Sequence, residues 1–268
     1  MPMCYGRRDW LGPLSWGLLG ALASAPAWAQ EPIEWSVGAD VRHRTLSEWS
    51  NGEKLLTEKG PVGHLLLGAQ VISPAWPAVR MEASLGGGQL DYDGRSQAGT
   101  PLATTSRHTD ADLAVYWRPL PAAGWGEAWV GVGTVWRRRD IASSSVAGGL
   151  METSSLIMPG VRWRSAAFSV SPSLRLEMQW RASVRHRLAV DYGGVFDNSS
   201  LKGGRRSEAS LRLILDAESG WQGSLAWVHS RQVASDEVSL YRAGLFAGTV
   251  HQPKVRIDDV SVSLTRRF

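Results

Sequence analysis

A period of two in hydrophobicity is the feature that most constrains how this chain can fold. From Ile33 to Arg42 every odd position is apolar and every even position is polar or glycine. Side chains of a strand point alternately to its two faces, so this run predicts a β-strand with one apolar face. Similar runs recur at Leu65–Val71, Val79–Leu85, Ala111–Trp117, Ala128–Trp136, Ile157–Trp163, Phe168–Trp180, Ala209–Leu215, Leu225–Trp227 and Val260–Phe268. No window of comparable length has helical spacing, and the pattern predicts an all-β protein.

A soluble β-sandwich also has alternating strands, so strand length has to separate the two architectures. The alternating runs cover about 10 to 15 residues, whereas sandwich strands average five or six and a tilted membrane-spanning strand needs about 9–11. The face opposite the apolar one is crowded with charge, for example Arg175, Glu177 and Arg181. These lengths favour a transmembrane barrel with charged residues directed into its lumen.

The tryptophans support the barrel. An indole ring settles where hydrocarbon meets lipid headgroups, so barrels carry aromatic girdles at both interfaces. One predicted girdle lies at strand ends beside short connections and contains Trp35, Trp76, Trp117, Trp125, Trp163, Phe168, Trp221 and Phe268. The opposite girdle is predicted from Trp136, Trp180 and Tyr92. We therefore predict an antiparallel up-and-down transmembrane β-barrel.

The connections between the runs alternate in length. Short ones are expected at Ser73–Pro77, Pro119–Gly124, Ser165–Ala167 and Glu218–Gly220, and long polar loops at Thr45–Pro61, Asp93–Arg107, Asp140–Gly149 and Ala234–Pro253. Short periplasmic turns opposite long extracellular loops are typical of outer-membrane barrels. We count ten strands if Phe168 to about Tyr192 is one strand whose even-numbered apolar positions keep one face. Twelve strands are the alternative.

The first residues have the composition of an export signal. Arg7 and Arg8 precede the apolar run Trp10–Ala25, and Ala27-Trp28-Ala29 places small residues before a cleavage site. We predict a signal peptide at residues 1–29 and a barrel at residues 30–268. The single cysteine, Cys4, would be removed with the signal, which excludes disulfides and thiol chemistry in the mature chain. The formal net charge of +4 is spread among interspersed acidic and basic residues, so we expect no nucleic-acid partner.

The C-terminus carries a family resemblance. Val260, Val262, Leu264 and the terminal Phe268 resemble the insertion signal of bacterial outer-membrane β-barrel proteins, although Arg266 stands where that signal often has an apolar residue. The segment Leu90–Leu102 is similar to a loop-entry segment of uncharacterised members of that superfamily. The resemblance implies export through the periplasm, the Gram-negative outer membrane as location, and the barrel-assembly machinery, outer-membrane lipid and lipopolysaccharide as partners. It implies no particular chemistry.

Two functions remain open at this stage. A ten-stranded lumen filled with paired charges predicts a largely plugged barrel with a structural, surface or narrow-solute role. The alternative is a membrane-embedded hydrolase, similar to the omptin proteases or the lipid A-modifying enzymes, with its site near His108, Asp110 and Asp112 on one inward face. The chain lacks the Asp-x-His of the omptin site, and we expect these three residues to pair with lumen arginines such as Arg80, Arg137 or Arg175. No catalytic residue, cofactor or metal is assigned.

Basic residues at expected extracellular strand ends are candidates for lipopolysaccharide binding. Guanidinium and ammonium groups bind phosphates through charge-assisted hydrogen bonds. The candidates are Arg137, Arg138, Arg139, Lys202, Arg205 and Arg206.

Overall fold

The structure, a computed structural model, describes residues 33–71, 78–95, 100–145, 148–168, 171, 173–217 and 219–268. The expected signal peptide, the short connection at Ser73–Pro77 and Trp76 lie outside these residues. Within the described ranges, no helix is long and apolar enough to cross a membrane.

In the described part of the chain, fourteen strands account for nearly all of the regular structure. They are β1 (Ile33–Ser50), β2 (Glu53–Val71), β3 (Ala78–Arg95), β4 (Pro101–Arg118), β5 (Gly126–Ile141), β6 (Leu150–Ser165), β7 (Leu174–Ala182), β8 (Arg185–Asp191), β9 (Ser199–Lys202), β10 (Arg206–Asp216), β11 (Trp221–Gln232), β12 (Val238–Arg242), β13 (Leu245–Val250) and β14 (Lys254–Arg267).

The strands close into a barrel in which neighbours along the chain are neighbours in space. β1 pairs with both β2 and β14, and the pairing of β5 with β6 completes the ring. β8 prolongs the line of β7, since both pair with β6, and β9 prolongs the line of β10. The barrel therefore has ten strand lines, with β12 and β13 as a separate hairpin. The all-β fold and the count of ten are confirmed.

The outward face carries an apolar band. On β1 it runs from Ile33 to Val41, and the next outward residues are His43 and Thr45. This run rises roughly 20 Å along the barrel axis at a tilt of about 40°, close to the ~25 Å apolar band of outer-membrane barrels. The described short connections, the start of β1 and the end of β14 lie below the band. Outer-membrane barrels have short turns on the periplasmic side, so this side is the periplasmic end.

Aromatic residues border the band as predicted, with one exception. Exposed rings at the periplasmic border are Trp35, Trp117, Trp125, Phe168, Trp221 and Phe268. The guanidinium of Arg266 lies 5.5 Å from the ring of Trp221 and 5.4 Å from that of Phe268, which places its charge at the interface. Trp136 and Trp180 lie toward the other border, joined by Trp227. The prediction for Tyr92 is wrong, because its ring is buried inside the barrel.

Apolar clusters occupy both ends of the interior. Ala78, Ala114, Tyr116 and Trp129 pack together at the periplasmic end. At the extracellular end, one cluster contains Leu46, Leu56, Tyr92, Leu102 and Ile257. A second contains Leu188, Val190, Tyr192, Leu201 and Leu240. Since Leu240 belongs to β12, the β12–β13 hairpin packs over the lumen side of β8 and β9.

The expected loops at Thr45–Pro61 and Asp93–Arg107 are largely strand. β1 and β2 stay paired to Ser50 and Glu53, and a two-residue turn, Asn51-Gly52, joins them. Both turn residues have positive φ, which suits a tight hairpin. β3 and β4 likewise pair up to Arg95 and Pro101. Eighteen strand residues span roughly 45 Å at barrel tilt, so the wall of the barrel extends well beyond the bilayer.

The continuous strand from Phe168 to about Tyr192 is interrupted. Among the described residues regular pairing begins at Leu174, and one extra residue relative to β6 separates β7 from β8. Such a bulge moves the following side chains to the opposite face. Leu188 and Val190 are therefore buried on the lumen side, not directed outward in the phase of Met178. Gly203 faces the bulge, where a β-carbon would lie 2.2 Å from the His186 ring.

Candidate functional site: the charged lumen

Three clusters of charged side chains fill the lumen between the apolar ends. The lower cluster, nearest the periplasm, contains Arg80, Glu82, Arg162, Arg164, Glu177 and Arg212. The middle cluster contains Asp40, Arg42, Arg44, His64, Asp110, Asp112, Arg181, Glu208 and Asp259. The upper cluster contains Glu48, Glu58, His108, Arg139 and Glu152. The predicted charged inner face is confirmed.

Arg162 organises the lower cluster from β6. Its guanidinium donates two hydrogen bonds to Glu82 on β3, at 2.8 and 2.6 Å, in the bidentate geometry that makes arginine–carboxylate pairs strong. The same group lies 4.1 Å from the centroid of the Tyr116 ring and donates to Gln179 at 3.1 Å. Because β3 and β6 are three strands apart, this bridge crosses the lumen.

Arg44 holds the middle cluster together. Its side chain is 1 % exposed and donates to both carboxylate oxygens of Asp259, at 3.1 and 3.0 Å. Its remaining terminal nitrogen lies 2.7 Å from Asp110 on β4. Arg181 makes a second crossing, to Asp112 at 2.8 Å. Arg44 thus connects β4 to β1 and β14, with which β4 does not pair.

His64 lies between two aspartates of the middle cluster. Its Nδ1 is 3.1 Å from Asp40 and its Nε2 is 3.7 Å from Asp110. Gly86, on the neighbouring strand, leaves room for this ring, because a β-carbon there would approach it to 2.5 Å. The glycine in a charged lumen is therefore explained by close packing against the imidazole.

Arg139 is the centre of the upper cluster, above the apolar band. It donates to three carboxylates: Glu58 at 2.8 and 2.5 Å, Glu48 at 2.5 Å and Glu152 at 2.9 Å. The other oxygen of Glu58 lies 2.6 Å from Nε2 of His108. Three acids around one guanidinium leave this cluster with an excess of negative charge.

Within this cluster the pKa values of Glu48 and Glu58 are shifted in opposite directions. Burial raises the pKa of Glu48 to about 7, against the attraction of Arg139 and together with repulsion from Glu152 and Glu58. Burial also acts to raise the pKa of Glu58, but Arg139 and the hydrogen bond with His108 outweigh it and hold this pKa at about 2. Glu48 therefore carries the proton of the cluster near neutral pH.

The hydrolase candidates His108, Asp110 and Asp112 share the inward face of β4 as expected, but each has a different partner. His108 contacts Glu58, Asp110 contacts Arg44, and Asp112 contacts Arg181. Among the described residues, no ion pair or hydrogen bond joins the three to one another. Of the cations expected to pair with them, Arg137 lies 3.7 Å from Asp110, whereas Arg80 and Arg175 contact Glu82 and Asp216.

The lipopolysaccharide candidates divide between the two faces of the wall. Arg137 and Arg139, two residues apart on β5, share its lumen face, and Arg206 also points into the lumen. Arg138 points outward and is paired with Asp140 at 3.0 Å. Lys202 and Arg205 are exposed. Where the structure describes the chain, no group of three His, Cys, Asp or Glu side chains is arranged to hold a metal ion.

Sequence reasoning missed the acids and the cation that hold the upper half together. Arg44 and Glu48 continue the even-numbered inward series of β1, but the outward residues beside them, His43, Thr45 and Ser47, are polar. Above the bilayer both faces of a strand meet polar surroundings, so the contrast between faces is lost. The even spacing of Asp40, Arg42, Arg44 and Glu48 was the available signal.

A cavity of about 340 Å³ remains within the lumen. Its lining includes Arg137 and Arg206 in the upper part, and Glu34, Gln70 and Arg267 near the periplasmic ends of their strands.

No known family model matches the sequence, and no curated protein matches it. Solved structures do. The outer membrane protease OmpT of Escherichia coli superimposes with a TM-score of 0.52 at 10% identity, over 88% of this chain and 96% of that one. The translocator domain of the autotransporter NalP from Neisseria meningitidis gives 0.50 at 11% identity, over 90% and 91%. These likenesses show the fold. The outward apolar band agrees with the prediction that this barrel spans a membrane.

Proposed function

We propose that this protein is a closed, non-conducting barrel with a structural or surface role in the outer membrane. The observation that carries the proposal is the set of ion pairs that cross the lumen at three levels, from Arg162 to Glu82, from Arg44 to Asp110 and from Arg139 to Glu58. Apolar clusters close the interior above them.

The energy of these bridges argues against solute flow. Removing one partner of a buried ion pair costs about 3–5 kcal/mol, and a solute that crosses the whole barrel would have to separate the pairs of the upper cluster, which lies above the cavity. Clear aqueous channels need about 16 strands, well above the ten lines of this barrel. The hydrolytic alternative has less support, because His108, Asp110 and Asp112 are held by three different partners.

Planar-bilayer recording tests the closed state. We expect the purified protein to give no discrete conductance steps, and the triple variant R44A/R139A/R162A to give measurable steps because the bridge at every level is broken. The matched control is R138A/D140A, which removes an ion pair from the outer face and should stay silent. Stepwise conductance of the unmodified protein would contradict the proposal.

We also propose that the outer surface binds lipopolysaccharide phosphates, through a set of residues that shares only Lys202 with the expected one. Arg231 lies directly opposite Arg256, and Arg187 lies directly opposite Lys202, all exposed on the outer face. Like charges placed opposite each other destabilise a sheet. Within the described residues none of the four has a carboxylate partner, so a phosphate between each pair would relieve the repulsion.

Lipopolysaccharide binding is tested with the variant R231S/R256S. We expect it to bind detergent-dispersed lipid A on the order of tenfold more weakly, the loss of about one charge-assisted hydrogen bond. R138S is the control, and we expect little change because Asp140 already neutralises Arg138. Equal loss in both variants, or none in either, counts against this surface, and lipid A without phosphates should bind poorly to all three proteins.

A further inference from the structure

Arg206 is a buried cation whose Nε has no hydrogen-bonding partner among the described residues. Its side chain is 5 % exposed, and its closest carboxylate contact is Glu208, at 3.6 Å from Nη2. Arg181 already donates to the other oxygen of Glu208 twice, at 3.1 and 2.6 Å. Arg206 therefore shares an acid that another arginine holds more tightly.

Arg137 is in the same position. Its Nε lies 3.7 Å from Asp110, beyond hydrogen-bond distance, and its Nε and Nη1 are buried without partners among the described residues. The second oxygen of Asp110 is bound by Arg44 at 2.7 Å. Arg137 and Arg206 also repel each other, so two incompletely neutralised guanidinium groups lie near one another in the lumen.

A third donor adjoins this pair. Gln232 is directly opposite Arg206 on β11, faces inward, and has an Nε2 without a partner in the described part of the chain. The unpartnered atoms of Arg137, Arg206 and Gln232 are all N–H donors, so the group that would satisfy them has to be an acceptor.

The cavity gives such a group a place and a route. Arg137 and Arg206 both line it, and its lining extends down to Glu34, Gln70 and Arg267 at the periplasmic end. The extracellular end is filled by apolar side chains instead. A ligand of these arginines would therefore be a water-soluble molecule that enters from the periplasm.

We propose that Arg137 and Arg206 form a binding site for a soluble oxyanion, a phosphate or carboxylate group, in the lumen of the barrel. The planar fork of each guanidinium matches two oxygens of such a group. The bound anion would accept from the orphaned N–H groups and separate the two positive charges. The site goes beyond the closed-barrel function, because binding needs no passage through the lumen.

Titration calorimetry of the purified full-length mature barrel, in detergent and in a buffer free of phosphate and sulfate, tests the site. Inorganic phosphate is the first probe and citrate the second. We expect saturable binding of at least one of them, and an affinity at least tenfold lower in R137Q/R206Q, since each charge-assisted hydrogen bond contributes about 1.5–3 kcal/mol. R138Q, which alters an outward arginine, should bind as the parent does.

Thermal unfolding provides a second readout if the double variant folds poorly. A ligand that binds only the folded barrel raises its midpoint, so phosphate or citrate should stabilise the parent protein. Absence of saturable binding and of any shift in the parent overturns the site. Lipid A is the third probe: because its acyl chains cannot enter the lumen, binding of lipid A alone would also overturn it. None of these results depends on conductance.

Discussion

Replacing Arg44 with methionine is expected to destabilise the barrel by about 3–5 kcal/mol, the cost of leaving a buried charge without its partner. The substitution removes the cation that holds Asp110 and Asp259, and both carboxylates stay in the lumen. The midpoint of urea unfolding in detergent micelles, followed by tryptophan fluorescence, should fall accordingly. On a gel, the folded band should convert to the unfolded one at a lower temperature.

Neutralising Asp110 and Asp259, which R44M leaves unpaired, distinguishes the loss of charge pairing from the loss of packing. In the triple variant R44M/D110N/D259N the three groups of this bridge are all uncharged, and we expect part of the lost stability to return; Arg137 still loses its contact with Asp110. R138M on the outer face is the matched single substitution and should change unfolding little, because its ion pair with Asp140 is exposed. An R44M barrel as stable as the parent would mean that Arg44 does not hold the lumen together.

The substitution R139M is expected to cause the second large loss, and the loss should depend on pH. Without Arg139, the acids Glu48, Glu58 and Glu152 lie together with no guanidinium between them. Like charges so close cannot all stay ionised, so folding must be accompanied by proton uptake. Proton uptake is cheaper at low pH, and R139M should therefore lose more stability at pH 8 than at pH 5.

The parent protein gives the sign of the underlying effect. The pKa of Glu48 is about 7 in the folded barrel, above the usual value near 4.5, so its contribution is complete below about pH 4.5 and is lost as the pH rises through 7. The pKa of Glu58 is about 2, so its contribution is present above about pH 4.5 and is lost as the pH falls toward 2. E48Q should flatten the decline between pH 5 and 8. A decline that persists unchanged in E48Q would show that another group causes it.

The sequence was sufficient to predict the part of the fold that contacts lipid. Hydrocarbon tolerates only apolar side chains, so Val37, Val41 and Leu67 alternate with polar residues in a pattern that needs no knowledge of partners. Ten strands followed from the same pattern. The bulge before Arg185 was not predicted, because apolar residues such as Leu188 and Val190 suit a lipid-facing position as well as a buried one. Only the pairing with β6 shows the shift.

The charged composition of the lumen could be predicted from the sequence, but the ion pairs within it could not. That Asp110 and Asp112 face inward follows from their spacing. Which arginine each contacts depends on the curvature of the barrel and on strands far apart in sequence, as in the contact from Asp112 to Arg181. The arginine cluster 137–139 was misjudged for a simpler reason. Its three residues alternate between faces, and a run of identical residues on a strand cannot form one surface.

The paired extension of β1 and β2 determines what the cell presents to its surroundings. Ladder hydrogen bonds continue to Ser50 and Glu53, and only Asn51 and Gly52 form the turn. A protease has to draw several residues of its target into an extended, unpaired conformation, which this hairpin cannot supply without first being peeled apart. This part of the rim is therefore held by backbone hydrogen bonds. Antibodies or phages that attach here would meet paired strands instead of a flexible loop.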